Sequence, residues 1–150
     1  MKIENINQDV TQLAGSAFEP ISILHGVNCQ RVMGSGAAKS LFTKWPHVRS
    51  QYMSLEKRQM ELGLIQFVAV EDSTYVVNCF TQEFYGRDGK RYASVDAIVQ
   101  CIKKVLGYKT EVYMVRIGSD LGGLDWDTEV EPAIESIDSE KVMHVCTLPV

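Results

Sequence analysis

Residues 27–38 read Val-Asn-Cys-Gln-Arg-Val-Met-Gly-Ser-Gly-Ala-Ala. Glycines and other small residues there let backbone N–H groups approach a ligand closely. The stretch follows an apolar run, Ile21-Ser22-Ile23-Leu24, and leads into residues where Ala38, Phe42 and Trp45 recur at helical spacing. A helix start presents unpaired donors with a partial positive charge, so strand, small residues and helix together build an anion site. The chemistry this predicts is capture of a phosphate-bearing ligand at the carboxyl end of a strand. A second glycine loop, Gly118-Ser119-Asp120-Leu121-Gly122-Gly123-Leu124, also runs from a strand toward a helix. In an open α/β sheet ligands bind outside the carboxyl ends of the strands. Two such junctions facing one crevice would hold a diphosphate through main-chain donors, without lysine. Two tight turns are the plain alternative, because lone glycines usually serve only the backbone. Two loops, each after a strand, shift the balance toward a nucleotide diphosphate.

Other side chains capable of chemistry each carry a bland reading. Asp125 precedes Trp126 and is either a base toward water or that helix's N-cap, and the spacing favours the cap. His25 and His144 fall in strands, where a histidine is more often a hydrogen-bonded core residue, yet either could protonate a leaving group from the crevice. Arg87, Lys90 and Arg91 would meet a terminal phosphate or only decorate a loop. Phe80 and Tyr85 favour packing over ligand stacking, and Cys29 has no evident activating base. Residues 33–40 do not complete a phosphate-binding P-loop, because Ala38 precedes Lys39 and the spacing is too short. Lys39 likewise breaks the G-x-G-x-x-G dinucleotide pattern.

Positioning these residues takes alternating strands and helices. An edge strand is expected around Ile3 and Ile6, followed by a turn that Asp9 would cap. Strands are expected over residues 21–27, 64–70, 74–80, 111–117 and 142–148. Helices are expected over 34–45, ended by Pro46, and from 46 through 59, with Val48, Tyr52 and Leu55 on one face. Ser94 is placed to N-cap a helix through Leu106 whose stripe is Val95, Ile98, Ile102 and Val105. Trp126, Val130, Ile134 and Ile137 repeat at helical intervals, and Pro132 should kink that helix or split off its first turn. The order implies a three-layer α/β domain with a mixed, mostly parallel sheet, and the 150 residues fit one domain, 1–150.

Composition narrows the function. Hydrophobic residues at 45% and charged residues at 23% are ordinary for a soluble globular protein. A formal net charge of −4, with no Lys/Arg run, argues against a nucleic-acid-binding surface, which depends on phosphate neutralisation. No apolar run approaches the ~20 residues of a membrane span. The N-terminus lacks a signal-peptide core, and the four cysteines form no CxxC pair. No metal site and no disulfide framework is indicated, and a reducing cytoplasm is expected.

Taken in order, Gln8-Asp9-Val10, Val27-Asn28-Cys29 with Met33 to Ala38, Asn78-Cys79-Phe80-Thr81-Gln82, and Gly118 through Trp126 resemble the macro domain family of ADP-ribose binders. The resemblance spans nearly the whole chain. It is nearest to the branch of ADP-ribose-1″-phosphate phosphatases and terminal ADP-ribose glycohydrolases, especially small microbial or phage members. It implies an α/β/α macro domain and residue roles. Asp9, with Val10 beside it, would meet the adenine amino group, and Asn28 the distal ribose hydroxyls. Met33, Gly34, Ser35, Gly36 and Ala37 would wrap the distal ribose and second phosphate. Ser119, Asp120, Leu121, Gly122, Gly123 and Leu124 would cradle the diphosphate, and Phe80, Thr81 and Gln82 would line the distal ribose pocket.

The departures are informative. Asp120 stands where the family usually has glycine, so it repels phosphate unless turned away or protonated, or else takes part in chemistry. Gln82 and Gly122 stand where the glycohydrolase branch carries a lysine nucleophile and an aspartate. The expected function is ADP-ribose binding with hydrolysis of ADP-ribose-1″-phosphate, with Asn28 orienting the ribose and Asp125 or Asp120 assisting water. No cofactor and no metal is expected. The alternatives are a non-catalytic reader of free or protein-linked ADP-ribose, and an O-acyl-ADP-ribose deacylase or ADP-ribosyl hydrolase.

Overall fold

The computed structural model describes residues 1–34, 36–86, 88, 90–117 and 122–147. Strands β1 (Lys2–Ile6), β2 (Ile21–Asn28), β3 (Ile65–Glu71), β4 (Thr74–Gln82), β5 (Glu111–Met114) and β6 (Val142–Cys146) form one sheet in the order β1-β6-β5-β2-β4-β3. Every pairing is parallel except that of β3 with β4. Side chains alternate across a strand, so each strand feeds two cores. On one face Ile23, Val76 and Phe80 meet Leu41 of α1 (Gly36–Lys44) and Val48 and Tyr52 of α2 (His47–Met53). On the other, Leu24, Val77 and Met143 meet Ile98 and Ile102 of α3 (Val95–Val105) and Ile134 of α4 (Glu131–Glu135). The result is the expected three-layer α/β/α arrangement, with β2 buried on both faces at its centre.

The expected caps hold. Asp9 Oδ1 accepts from Thr11 N at 2.8 Å, and Ser94 Oγ from Ala97 N at 3.1 Å. Pro132 sits in the first turn of α4, directly after a π-helical turn over Trp126–Val130, so the expected irregularity is a π-bulge.

Several boundaries differ from the sequence expectation. The helix expected over 46–59 stops at Met53. Ser54 Oγ bonds Gln51 O at 2.7 Å, competing with helical bonding, and Glu56 turns extended to cap a single 3₁₀ turn, Lys57–Gln59. The first helix spans 36–44 rather than 34–45, and β5 ends at Met114 rather than residue 117: Val115 N makes a last bond to Leu24 O at 3.2 Å, and residues 115–117 then line the cavity. The last strand ends at Cys146; residues 148–150 lie outside the described residues. All four cysteines are buried and unpaired.

Candidate functional site

The site grows from the carboxyl end of β2. Gly26 is required there, because a Cβ would lie 2.6 Å from Thr81 Oγ1 and 3.0 Å from Ile117 Cγ2. The β2–β4 register slips between Val27 and Asn28, which pair with Phe80 and Gln82, leaving Thr81 as the extra residue of a bulge. Bulges re-aim side chains at the rims of sheets. Next comes Asn28, which is 8% exposed. Its Nδ2 donates to Val32 O at 2.7 Å. Its Oδ1 accepts from Gln30 N at 3.0 Å and Val32 N at 3.3 Å. The hydroxyl of Tyr52, fully buried on α2, lies 2.7 Å from Asn28 O and 3.0 Å from Asn28 Oδ1. Asn28 therefore builds its own turn as well as facing the site, a structural duty not apparent from the sequence.

A cavity of about 680 Å³ opens over the ends of β2 and β4 and the segment that follows β5. Its walls include Asn28, Met33, Gly34, Gly36, Ala37, Thr81, Gln82 and Gly122 among the residues expected from sequence. The turn before α1 and Gly122 of the second glycine stretch thus meet at one crevice. Ser35, Ser119, Asp120 and Leu121, also expected at the site, and Gly118 and Arg87 lie outside the described residues.

Several expected residues are placed elsewhere. Phe80 is fully buried and packs on Tyr52 with ring centroids 6.0 Å apart; Val10 and Leu124 are likewise core residues rather than cavity walls. Gly123 also stays off the cavity wall. At φ 77° its missing Cβ admits Lys90 O, which would lie 2.3 Å from that atom, so it joins the loop to the 90–93 segment. Gly122 O completes the junction by accepting from Tyr92 N and Ala93 N at 2.9 and 3.0 Å. Asp125 is an N-cap: its Oδ1 accepts from Thr128 N at 2.9 Å, and that bond holds its carboxyl below the usual range. It does not line the cavity. Asp9 lies just past β1, at the same carboxyl edge as the cavity but off its wall, with Oδ1 taken by both the N–H and the hydroxyl of Thr11.

Two polar residues at the cavity were passed over or undervalued in the sequence. Arg116 supplies a cation, its guanidinium 5.7 Å from the Trp126 ring centre. Its position, after a strand and before a glycine loop, was the available signal. His25 is the other. Both amide hydrogens of Asn78 are spent, on Val48 O at 3.2 Å and Gln66 Oε1 at 3.0 Å, so Asn78 turns its oxygen to His25 Nε2. Nε2 therefore carries the proton and Nδ1 a bare lone pair, buried without a partner. Burial, only partly offset by the Asn78 bond, lowers the imidazole to about 4. At neutral pH His25 is an acceptor and cannot protonate a leaving group. His144 lies away from the cavity, between Glu4 and Glu111 at 3.6 Å each, and stacked on Tyr113. Among the described residues no three His, Cys, Asp or Glu side chains cluster to hold a metal.

No protein-family model matches the sequence. The chain is 27% identical over 139 residues to an uncharacterized 17.5 kDa protein of the tk-vs intergenic region of Enterobacteria phage T4, covering 85% of this chain and 84% of that one. Among solved structures, a protein of unknown function from Bacteroides thetaiotaomicron is 33% identical, with 99% of each chain covered and a TM-score of 0.84. A macrodomain protein from Streptomyces coelicolor follows at 24% identity, 98% and 100% coverage and a TM-score of 0.73. A Trypanosoma brucei macrodomain in complex with ADP-ribose matches at 14% identity, covering 96% of this chain and 63% of that one, with a TM-score of 0.61. The fold is the macro domain fold. Within it, this chain and the Bacteroides thetaiotaomicron protein belong to one family.

Proposed function

We propose that this protein binds ADP-ribose in the cavity at the ends of β2 and β4 and releases phosphate from ADP-ribose-1″-phosphate. One observation carries the reading: the Met33–Ala38 turn, Arg116 and Gly122 share a single crevice at the carboxyl edge of parallel strands. Main-chain donors and one guanidinium suit a diphosphate. The Trypanosoma macrodomain solved with ADP-ribose shares this fold, which supports the choice of ligand. Adenine would lie toward Asp9, contacting the Oδ2 that Thr11 leaves free. The distal ribose would lie toward Asn28 and Thr81.

The described cavity walls carry no carboxylate and no lysine. Phosphate monoesters tolerate this, because their loose transition state needs positioning and charge stabilisation more than a strong base. Water would attack phosphorus, the P–O1″ bond would break, and the departing hemiacetal oxygen would take up a proton from solvent. Arg116 and backbone N–H groups would stabilise the phosphoryl oxygens. The same missing carboxylate and lysine favour a second reading, a non-catalytic reader of free or protein-linked ADP-ribose. Titration calorimetry with ADP-ribose, followed by phosphate release from ADP-ribose-1″-phosphate, separates them. Saturable binding with turnover supports the phosphatase, binding without turnover the reader, and absence of binding removes both. No helix among the described residues is long and apolar enough to cross a membrane. Four buried free thiols suit a reducing compartment, and we place the protein in the cytoplasm.

A further inference from the structure

Helix α2 grips the turn between β2 and α1 from behind, at both of its ends. At one end the Tyr52 hydroxyl holds the backbone and side-chain oxygens of Asn28. At the other, Arg49 Nε donates to Met33 O at 3.1 Å, with its guanidinium 5.9 Å from the Phe42 ring centre. Neither Tyr52 nor Arg49 lines the cavity, whereas Asn28, Met33 and Gly34 do.

From this we infer that Tyr52 and Arg49 are positioning residues that aim the side-chain N–H of Asn28 and the backbone N–H of Gly34 toward the ligand. The inference rests on the ADP-ribose reading above. Asn28 Oδ1 already receives Gln30 N and Val32 N and lies within reach of Tyr52 Oη, so the carboxamide cannot flip without stranding two backbone donors. One amide hydrogen is spent on Val32 O, and the other has no protein acceptor among the described residues. What Asn28 offers the ligand is therefore an N–H and not a carbonyl. Carbonyl and N–H point in opposite directions across a trans peptide. With Met33 O drawn back to Arg49, the Gly34 N–H of the same peptide points away from Arg49, on a residue that lines the cavity. The Asn28 amide N–H and the Gly34 N–H are thereby offered as donors to the ligand, which favours phosphate and ribose oxygens over a group that brings only N–H donors.

Four proteins test this: wild type, Tyr52→Phe, which removes one hydroxyl, Arg49→Ala, an exposed change that leaves the core intact, and Arg49→Gln as its rescue. Ligand-free amide spectra are recorded first. Loss of the Tyr52 hydroxyl should shift the Asn28 side-chain NH₂ pair, and loss of Arg49 should shift the Gly34 amide. Unchanged signals overturn the inference whatever the ligand. ADP-ribose and AMP are then titrated into each protein. Tyr52→Phe and Arg49→Ala should each weaken ADP-ribose about tenfold and AMP less than about threefold, and Arg49→Gln, which restores a donor, should recover most of the loss. Equal weakening of both ligands, or ADP-ribose affinity within about twofold of wild type, overturns the positioning role. Failure of the wild type to bind ADP-ribose removes the ligand reading, and the amide spectra then decide the positioning role alone.

Discussion

His25 gives this protein a pH dependence with a definite sign. Its imidazole is held at about 4 when folded against an ordinary 6.5, so between these values the unfolded chain binds the extra proton. Stability is therefore full above about pH 6.5 and falls as pH drops toward 4, by roughly 3 kcal/mol at ~1.4 kcal/mol per pH unit. Asp125 and Glu129, whose carboxyls are held below their usual range, lose their contributions at still lower pH. Urea unfolding at pH 7 and pH 4.5 should show the decline, and His25→Gln should flatten it. An unchanged slope in that variant would mean that another group titrates. Arg116 carries the other expectation at this scale. As the cation of the cavity wall, its change to Ala should weaken ADP-ribose about tenfold, and high salt should narrow the gap between variant and wild type.

At the scale of elements, glycines do two different jobs. In the turn before α1 they keep space open, as at Gly34, whose missing Cβ would meet no atom of the described residues within 4 Å. In the second loop Gly123 closes space, with φ 77° and Lys90 O where a side chain would stand. Gly123→Ala should therefore destabilise by about 2–4 kcal/mol, measured by thermal unfolding, through both the backbone conformation and the clash. Gly34→Ala should barely move the melting temperature yet weaken ADP-ribose. The two loops look alike as text. Nothing in Gly122-Gly123 announces that the second glycine packs against residues 90–91, because that neighbour arrives from another part of the chain. Helix α2 carries the same lesson: its apolar face was legible, but its early end came from Ser54 and Glu56 bonding locally in preference to the helix.

For the whole molecule, ligand binding should report on the fold as a unit. ADP-ribose at 100 times its dissociation constant should stabilise the folded state by about 2.7 kcal/mol, raising the melting temperature by several degrees. Adenosine, lacking the diphosphate, should raise it far less at the same concentration. Equal shifts would place the recognition in the nucleoside alone. The sheet order explains why distant segments cooperate. β2 lies between β5 and β4, so the chain ends leaving all three parallel strands converge although they are roughly thirty to ninety residues apart in sequence.

Local rules were enough for much of this protein. Period-two and helical apolar patterns, Ser94 and Asp9 as caps, Pro132 as a break, and two strand–glycine junctions are written within a few residues of where they act, so they are legible without coordinates. Phe80 and Asn28 mark the limit. Strand alternation sends Phe80 into the core under α2, although its neighbours Thr81 and Gln82 reach the cavity. Asn28 is fixed by its own turn and, from α2, by Tyr52, a partner 24 residues away. The neutral state of His25, the placing of the Arg116 cation and the α2 contacts that hold the first turn depend on burial and long-range contacts, which exist only once the sheet has brought its strand ends together.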